Sequence, residues 1–186
     1  MRRKDREMNR EFGLTIIDKA PYAIISLVDE DNKPYAVPIS PARVDDVIYI
    51  HSAKEGHKLE LLQNSPQVVL TFVGEVEVPE PITEAEFIEA KNSNQLAAIT
   101  SKHFTTQFES AVVIGTAKLL TSNEEKMEGL RAISQKYTPK NMMYFEDAAM
   151  ASMSRTMVIR IDINKITAKR KKYDKYGEEM KWGRME

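Results

Sequence analysis

The sequence predicts a mainly β fold: a small antiparallel β-barrel of about six strands with flanking helices. Two observations carry this expectation. Short apolar runs rich in strand formers recur along the chain, and the first three are separated by turns too short for a parallel crossover. Between the later runs lie stretches with helical apolar spacing and recognisable capping residues. A length of 186 residues suits one domain, here expected to span residues 1–186.

The elements follow in order. Residues 1–20 read as a helix, because Met8, Phe12, Ile16 and Ile17 recur near the helical period with charges between them. Residues 22–28 form an apolar run, 29–33 a polar turn, and 35–40 and 47–51 two further strands, giving a three-stranded meander. Pro38 removes a ladder donor inside one of these strands, so its position belongs at an edge, a bulge or a ligand face. Residues 56–64 read as a short helix stopped at Ser65-Pro66, and 68–73 as a fourth strand. The stretch from Val76 to Pro81 reads as a loop. Thr83 with Glu86 makes a capping box opening a helix to about Ala90. Residues 91–107 give no clear period, and 80–107 as a whole reads as a helical insertion. Residues 109–120 form a long fifth strand. Ser122 with Glu125 then caps a helix whose apolar face is Met127, Leu130, Ile133 and Tyr137. Residues 157–163 alternate as a half-buried sixth strand, and 169–186 form a charged, mobile tail.

Composition excludes several classes. With 27 Lys+Arg against 28 Asp+Glu, the net charge of -1 supplies no bulk positive field for nucleic acid or a membrane surface. Without cysteine there is no disulfide, thiolate metal site or thiol nucleophile. The N-terminus is too charged for a signal peptide, and no apolar run is long enough to span a membrane. A cytoplasmic protein is expected. No histidine pair has zinc-ligand spacing, so no metal is expected, and no glycine-rich dinucleotide or Walker-type motif occurs.

The most informative segment runs from Ile50 to Lys58. It leaves a strand, passes through small residues and enters a helix whose first turn carries His57 and Lys58. A helix N-terminus presents free N–H groups and partial positive charge, which suits a phosphate; Ser52 adds a hydroxyl donor and Lys58 a full charge. The same pattern also describes a solvated strand–turn–helix connection. His51 taken alone reads as a packed strand-end histidine before it reads as a catalytic group for proton delivery or substrate contact. The cluster Lys169-Arg170-Lys171-Lys172, with Trp182 between Lys181 and Arg184, reads as a solvated tail or as an anion clamp. The methionines Met142, Met143, Met150, Met153 and Met157 read as core filling.

The order of these segments resembles a known family. Val37-Pro38-Ile39-Ser40, then Ile48 to Ala53 with Gly56, Lys58 and Leu62, then the strand from Pro66 to Phe72, form the first block. Phe108 to Val112 with Gly115 and Ala117, then Glu125-Lys126, Leu130 and Lys136-Tyr137, form the second, and Ile166-Thr167 with Lys169 the last. Together they resemble the pyridoxamine 5′-phosphate oxidase-like superfamily, and within it the Nim-type nitroimidazole-resistance branch. The resemblance implies an FMN-binding split β-barrel, a homodimer with FMN at the subunit interface, and a small-molecule substrate. It places Val37, Pro38, Ile39 and Ser40 beside the isoalloxazine ring, Ile50, His51, Ser52 and Ala53 along the ribityl chain, and His57 and Lys58 on the phosphate. Ser110 falls where the family sets a polar side chain on the flavin, from either subunit. Three departures stand out. Gln107-Phe108 replace a basic residue found in several relatives, Ala168 replaces a glycine, and only Trp182 and Arg184 stand where the oxidase proper has its arginine-rich substrate site. The implied activity is FMN-dependent oxidoreduction, in which the flavin carries the electrons. The alternative is a non-catalytic protein holding flavin or haem for storage or sensing, with His51 or His103 as axial ligand.

Overall fold

The computed structural model describes residues 2–182. A 3-10 turn at Lys4–Arg6 leads into β1 (Glu7–Met8) and helix α1 (Arg10–Lys19). The helix expected over residues 1–20 thus starts late. Asn9 sets the start: its side chain accepts a hydrogen bond from the Phe12 N–H at 2.9 Å, satisfying a first-turn donor. Then come β2 (Ala23–Val28), β3 (Pro34–Ile39), β4 (Ala42–Val44), β5 (Val47–Ala53), α2 (His57–Asn64) and β6 (Gln67–Glu77). The second half contains α3 (Glu84–Asn92), α4 (Leu96–His103), β7 (Gln107–Leu119), α5 (Asn123–Tyr137), α6 (Phe145–Ser152) and β8 (Thr156–Lys171).

The fold is mainly β and antiparallel, as expected, but with eight strands rather than six, in the order β3-β2-β6-β7-β8-β5-β4 with β1 alongside β8. The expected meander does not form. β2 and β3 pair, but β5 pairs with β8 and with the short β4. The Asp45-Asp46 turn therefore joins β4 to β5. Asp45 takes φ 50°, a left-handed conformation that aspartate tolerates in turns. β1 and β4 are too short to show any period in the sequence.

Among the described strands, two of the free edges bear on the site. β3 pairs only with β2, which accommodates Pro38 because no ladder donor is needed on its outer side. Residues 50–53 of β5 pair only with β8, since β4 ends opposite Tyr49. Ile39 of β3 and Ile48 and Ile50 of β5 nevertheless share one core with Ile25, Leu70, Phe72, Val113, Ile159 and Ile161. The sheet is therefore curled, bringing these two free edges round a common interior. Each such buried side chain contributes about 1.5–3 kcal/mol. α1 enters this interior with Ile16 and Ile17, while α5 covers the opposite face of β4, β5 and β8 through Ile133, Tyr49, Leu120 and Val158.

Several boundaries move. β6 continues to Glu77 through a bulge after Val73, so residues 76 and 77 are strand, not loop. The capping box of Thr83 and Glu86 is present on both sides, and the unassigned region beyond it contains α4. β8 runs eight residues past the expected end at 163, through residues that read as a charged tail. Arg170 and Lys171 are buried there at 9% and 4% exposure. Lys171 donates to the Ser101 carbonyl at 3.2 Å and to Thr105, anchoring α4 on β8. Met143 and Met150 are 78% and 65% exposed, so they are not core filling; Met153 is buried. No helix among the described residues is long and apolar enough to cross a membrane.

The tail folds back instead of trailing. Tyr173 bridges to Glu179, Met180 is buried, and Glu179 and Lys181 engage Arg6 and Asp5 of the N-terminal turn. Gly183 and Arg184, the rest of the expected clamp, lie outside the described residues. Arg3 holds the Asp5 carboxyl down at about 2. Burial pushes Glu179 up, but its hydrogen bonds to Arg6 and Lys181 outweigh this and lower it overall. Both carboxylates are lowered by folding, so their stabilisation is complete above the ordinary carboxylate range and is lost as pH falls through it toward the Asp5 value. Amide protection factors in residues 172–181, taken relative to the intrinsic exchange rate at each pH, are accordingly expected to fall selectively on acidification from about pH 5 to about pH 2. Unchanged protection factors across that window would show that the ion pairs do not hold the tail.

Candidate functional site

β5 carries residues 50–53 along the open edge, and the chain turns at Gly56 into α2. Gly56 has φ 126°, a conformation that only glycine adopts readily, yet a Cβ there would meet nothing within 4 Å. The backbone, not crowding, demands glycine, and open space lies in front of the helix. No side chain caps α2. The Gly56 carbonyl accepts from Leu59 and Glu60 at 2.9 and 3.3 Å, whereas the N–H groups of His57 and Lys58 are first-turn donors without an acceptor inside the helix.

Lys58 is half-buried and has no hydrogen-bond or ion-pair partner among the described residues. Burial pushes its ammonium below the ordinary lysine value. A shielded cation beside uncapped N–H groups suits an anion, because a negative charge there restores what desolvation removes. The His57 ring meets Tyr35 edge-on, with centroids 4.9 Å apart, and its Nδ1 lies 3.3 Å from Glu60. Tyr35 belongs to β3, so this contact links the β3 edge to the first turn of α2. It joins the expected phosphate end to the strand expected beside the ring.

Strand alternation sorts the remaining candidates. Ile39 and Ile50 are 7% and 0% exposed and point into the core with half-buried Val37, so they offer a ligand backbone only. Pro38, Ser40 and Ala53 are exposed, and Ser52 is half-buried with its hydroxyl donated to the Ala53 carbonyl at 2.8 Å. His51 sits on the opposite face from Ile50, across from Val158 of β8. His51 is exposed, and desolvation followed by the Lys58 charge pushes its imidazole below the ordinary histidine value, which favours the neutral form.

Two candidates stand apart. Ser110 occupies β7 opposite Val73 and Lys169, on the same outer face as Pro38. Three strand spacings separate it from β3, about 14 Å. His103 lies on α4, its Nδ1 3.1 Å from the Glu80 carbonyl. α4 is anchored at Lys171, and His51 faces Val158, so roughly 40 Å of strand separates the two histidines. No group of three or more metal-ligating side chains occurs among the described residues. A cavity of about 450 Å³ lies elsewhere, between α1 and β6, lined by Phe12, Ile16, Lys19 and Val73.

Sequence reasoning assigned no role to Tyr35, and it noted Lys136 and Tyr137 only as part of a pattern. Tyr35 is a strand aromatic with nothing in its local sequence to mark it. Lys136 and Tyr137 close α5 just before Thr138-Pro139, a helix-end position where cations often bond carbonyls.

A family model described as pyridoxamine 5′-phosphate oxidase matches residues 11–170. No curated protein matches the chain. Among solved structures, the chain is similar to a Bacteroides thetaiotaomicron protein assigned to 5-nitroimidazole antibiotic resistance, at TM-score 0.68 and 21% identity over 88% of this chain and 86% of that one. It is also similar to the FAD and haem binding protein of Mycobacterium smegmatis, at 0.69 and 18% over 89% and 73%. The flavocytochrome Anf3 of Azotobacter vinelandii aligns at 0.68 and 18% over 91% and 72%.

Proposed function

The chain belongs to the pyridoxamine 5′-phosphate oxidase family, and on that premise we propose that it is an FMN-binding flavoprotein acting as an oxidoreductase on a small molecule. The observation that carries this reading is Lys58, a half-buried ammonium without a partner among the described residues, at the mouth of an uncapped helix. These residues fit a phosphate monoester, which brings up to two negative charges and three acceptor oxygens. When bound, the flavin supplies the electron transfer. The protein's part is to hold it: Lys58, His57 and the first-turn N–H groups take the phosphate, the edge of residues 50–53 follows the ribityl chain, and the β3 edge borders the ring. Neutral His51 is the side chain placed to contact a substrate or move a proton at its imidazole nitrogen.

A second copy of the chain completes this reading. Val69, Val73 and Ile114 are 36–44% exposed and share the outer face of the sheet with Pro38 and Ser110. An antiparallel sheet face this apolar is suited to cover by a partner. Because about 14 Å separates Ser110 from β3, Ser110 reaches the flavin held by the other protomer.

The visible spectrum of the purified protein is the test, with and without added FMN. Oxidised-flavin bands, and release of FMN on heating, are the expected result. The structural likeness to a FAD and haem binding protein, together with the neutral imidazole of His51, gives the haem reading its standing. A Soret band would transfer the assignment to haem, and a protein that takes up neither would overturn both.

A further inference from the structure

Two side chains of α5 converge on one carbonyl beside the β3 edge, and one of them also bonds a carbonyl of α1. Lys136 Nζ donates to Pro41 O at 2.9 Å and to Ile17 O at 3.1 Å, and the Tyr137 hydroxyl donates to the same Pro41 O at 3.0 Å. Pro41 is buried and directly follows Ser40, the end of the segment that borders the ring in the reading above. Residues 40 and 41 lie between β3 and β4 and outside both ladders. Side chains of α5 therefore supply the bonds that strand neighbours supply elsewhere. Two residues on, the Arg43 guanidinium grips Asp18 of α1 with bonds of 2.8 and 2.6 Å, tying the far end of the link to the same helical turn.

Ile17 O is one of the last carbonyls of α1, left without an intrahelical partner, and a cation there is favoured by the helix dipole. Lys136 is thus fixed by two acceptors on two different elements, with its ammonium directly behind Pro41. Burial pushes it below the ordinary lysine value, with Asp18 acting against that.

Resting on the FMN reading, we propose that Lys136 and Tyr137 are positioning residues for the cofactor. Their shared bond to Pro41 sets the backbone of Ser40 and hence the edge that borders the flavin ring, and the Lys136 charge lies behind that edge. The residues act through Pro41 and do not touch the ligand.

The test compares Lys136→Met, Lys136→Arg and Tyr137→Phe for FMN affinity, flavin midpoint potential and apo-protein melting temperature. Lys136→Met is expected to bind FMN about tenfold more weakly and to shift the bound flavin to a more negative potential, since a nearby cation favours the reduced form. Lys136→Arg restores most of the potential, because the charge returns. Tyr137→Phe keeps the charge and is expected to lose about threefold in affinity with little change in potential. Melting changes with affinity and potential equal to wild type would show a purely structural clamp and overturn the proposal. If wild-type protein takes up no FMN at all, the functional reading falls and this role falls with it. That outcome is distinguishable because it appears before any substitution is made.

Discussion

Lys58→Ala is expected to weaken FMN binding by about 10- to 100-fold, the loss of one charge-assisted contact to a phosphate. The apo protein should melt no lower than wild type. Lys58 is half-buried with no partner among the described residues and a lowered pKa, so its charge costs folding free energy until an anion arrives. That combination separates a binding role from a packing role, since a packing residue would lose stability on truncation. Titration of flavin fluorescence at two ionic strengths checks the assignment further. Wild-type affinity should fall with added salt more steeply than that of the variant, because only the wild type makes this contact. Equal affinity in the two proteins would remove the phosphate from the α2 N-terminus.

The physics of each element explains how far the sequence could be read. Helix starts were legible where a polar cap stands before an apolar pattern, and Thr83 with Glu86 forms the reciprocal box. α2 was legible from Gly56 and the stop at Ser65-Pro66. Strand existence was legible from apolar runs, but strand pairing was not. Proximity in sequence suggested that residues 47–51 pair with 35–40, and a three-residue hairpin at β4 redirects them to β8. Nothing local distinguishes those outcomes, because register is decided by which faces can share the core. β8 was read short for a related reason: Lys169 to Lys171 look like solvent residues, but Arg170 is buried against the Phe12 ring of α1 and Lys171 is buried where α4 docks on it.

The site shows the same division. Residues 50–58 are contiguous, so their joint placement at one edge followed from a local pattern. The partition of that segment into side chains that can face a ligand and side chains that cannot depended on the curl of the sheet. Ile39 and Ile50 had to fill the core, which leaves their backbone as the available chemistry. Tyr35 and Lys136 belong to the site through contacts with residues 22 and 95 positions away, His57 and Pro41 respectively.

Gly115→Val is expected to be the most damaging of the substitutions considered, at about 3 kcal/mol or more, lowering the melting temperature by about 6–12 °C. Propensity alone points the other way, since valine is favoured in strands and glycine weakens them. Packing decides the sign. A Cβ at Gly115 would lie 2.7 Å from Ile161 Cγ2 and 2.8 Å from the backbone carbonyl of Asp162. The first contact is with a side chain, but the second is with β8 itself, at the point where the β7–β8 register shifts after Ile114. Relief would require separating the two longest strands of the sheet, each buried on its core face. Gly129 provides the contrast. Its Cβ would meet Val158 and Tyr49 at 2.7 and 2.8 Å, both through side chains at the α5 interface, where a small outward shift of the helix relieves the strain. Gly129→Ala is therefore expected to cost less than Gly115→Val, and Ile161→Ala should not rescue the latter, because the carbonyl remains. A Gly115→Val protein melting within about 2 °C of wild type would mean that the bulge absorbs the added methyl groups and that close strand approach is not what demands glycine there.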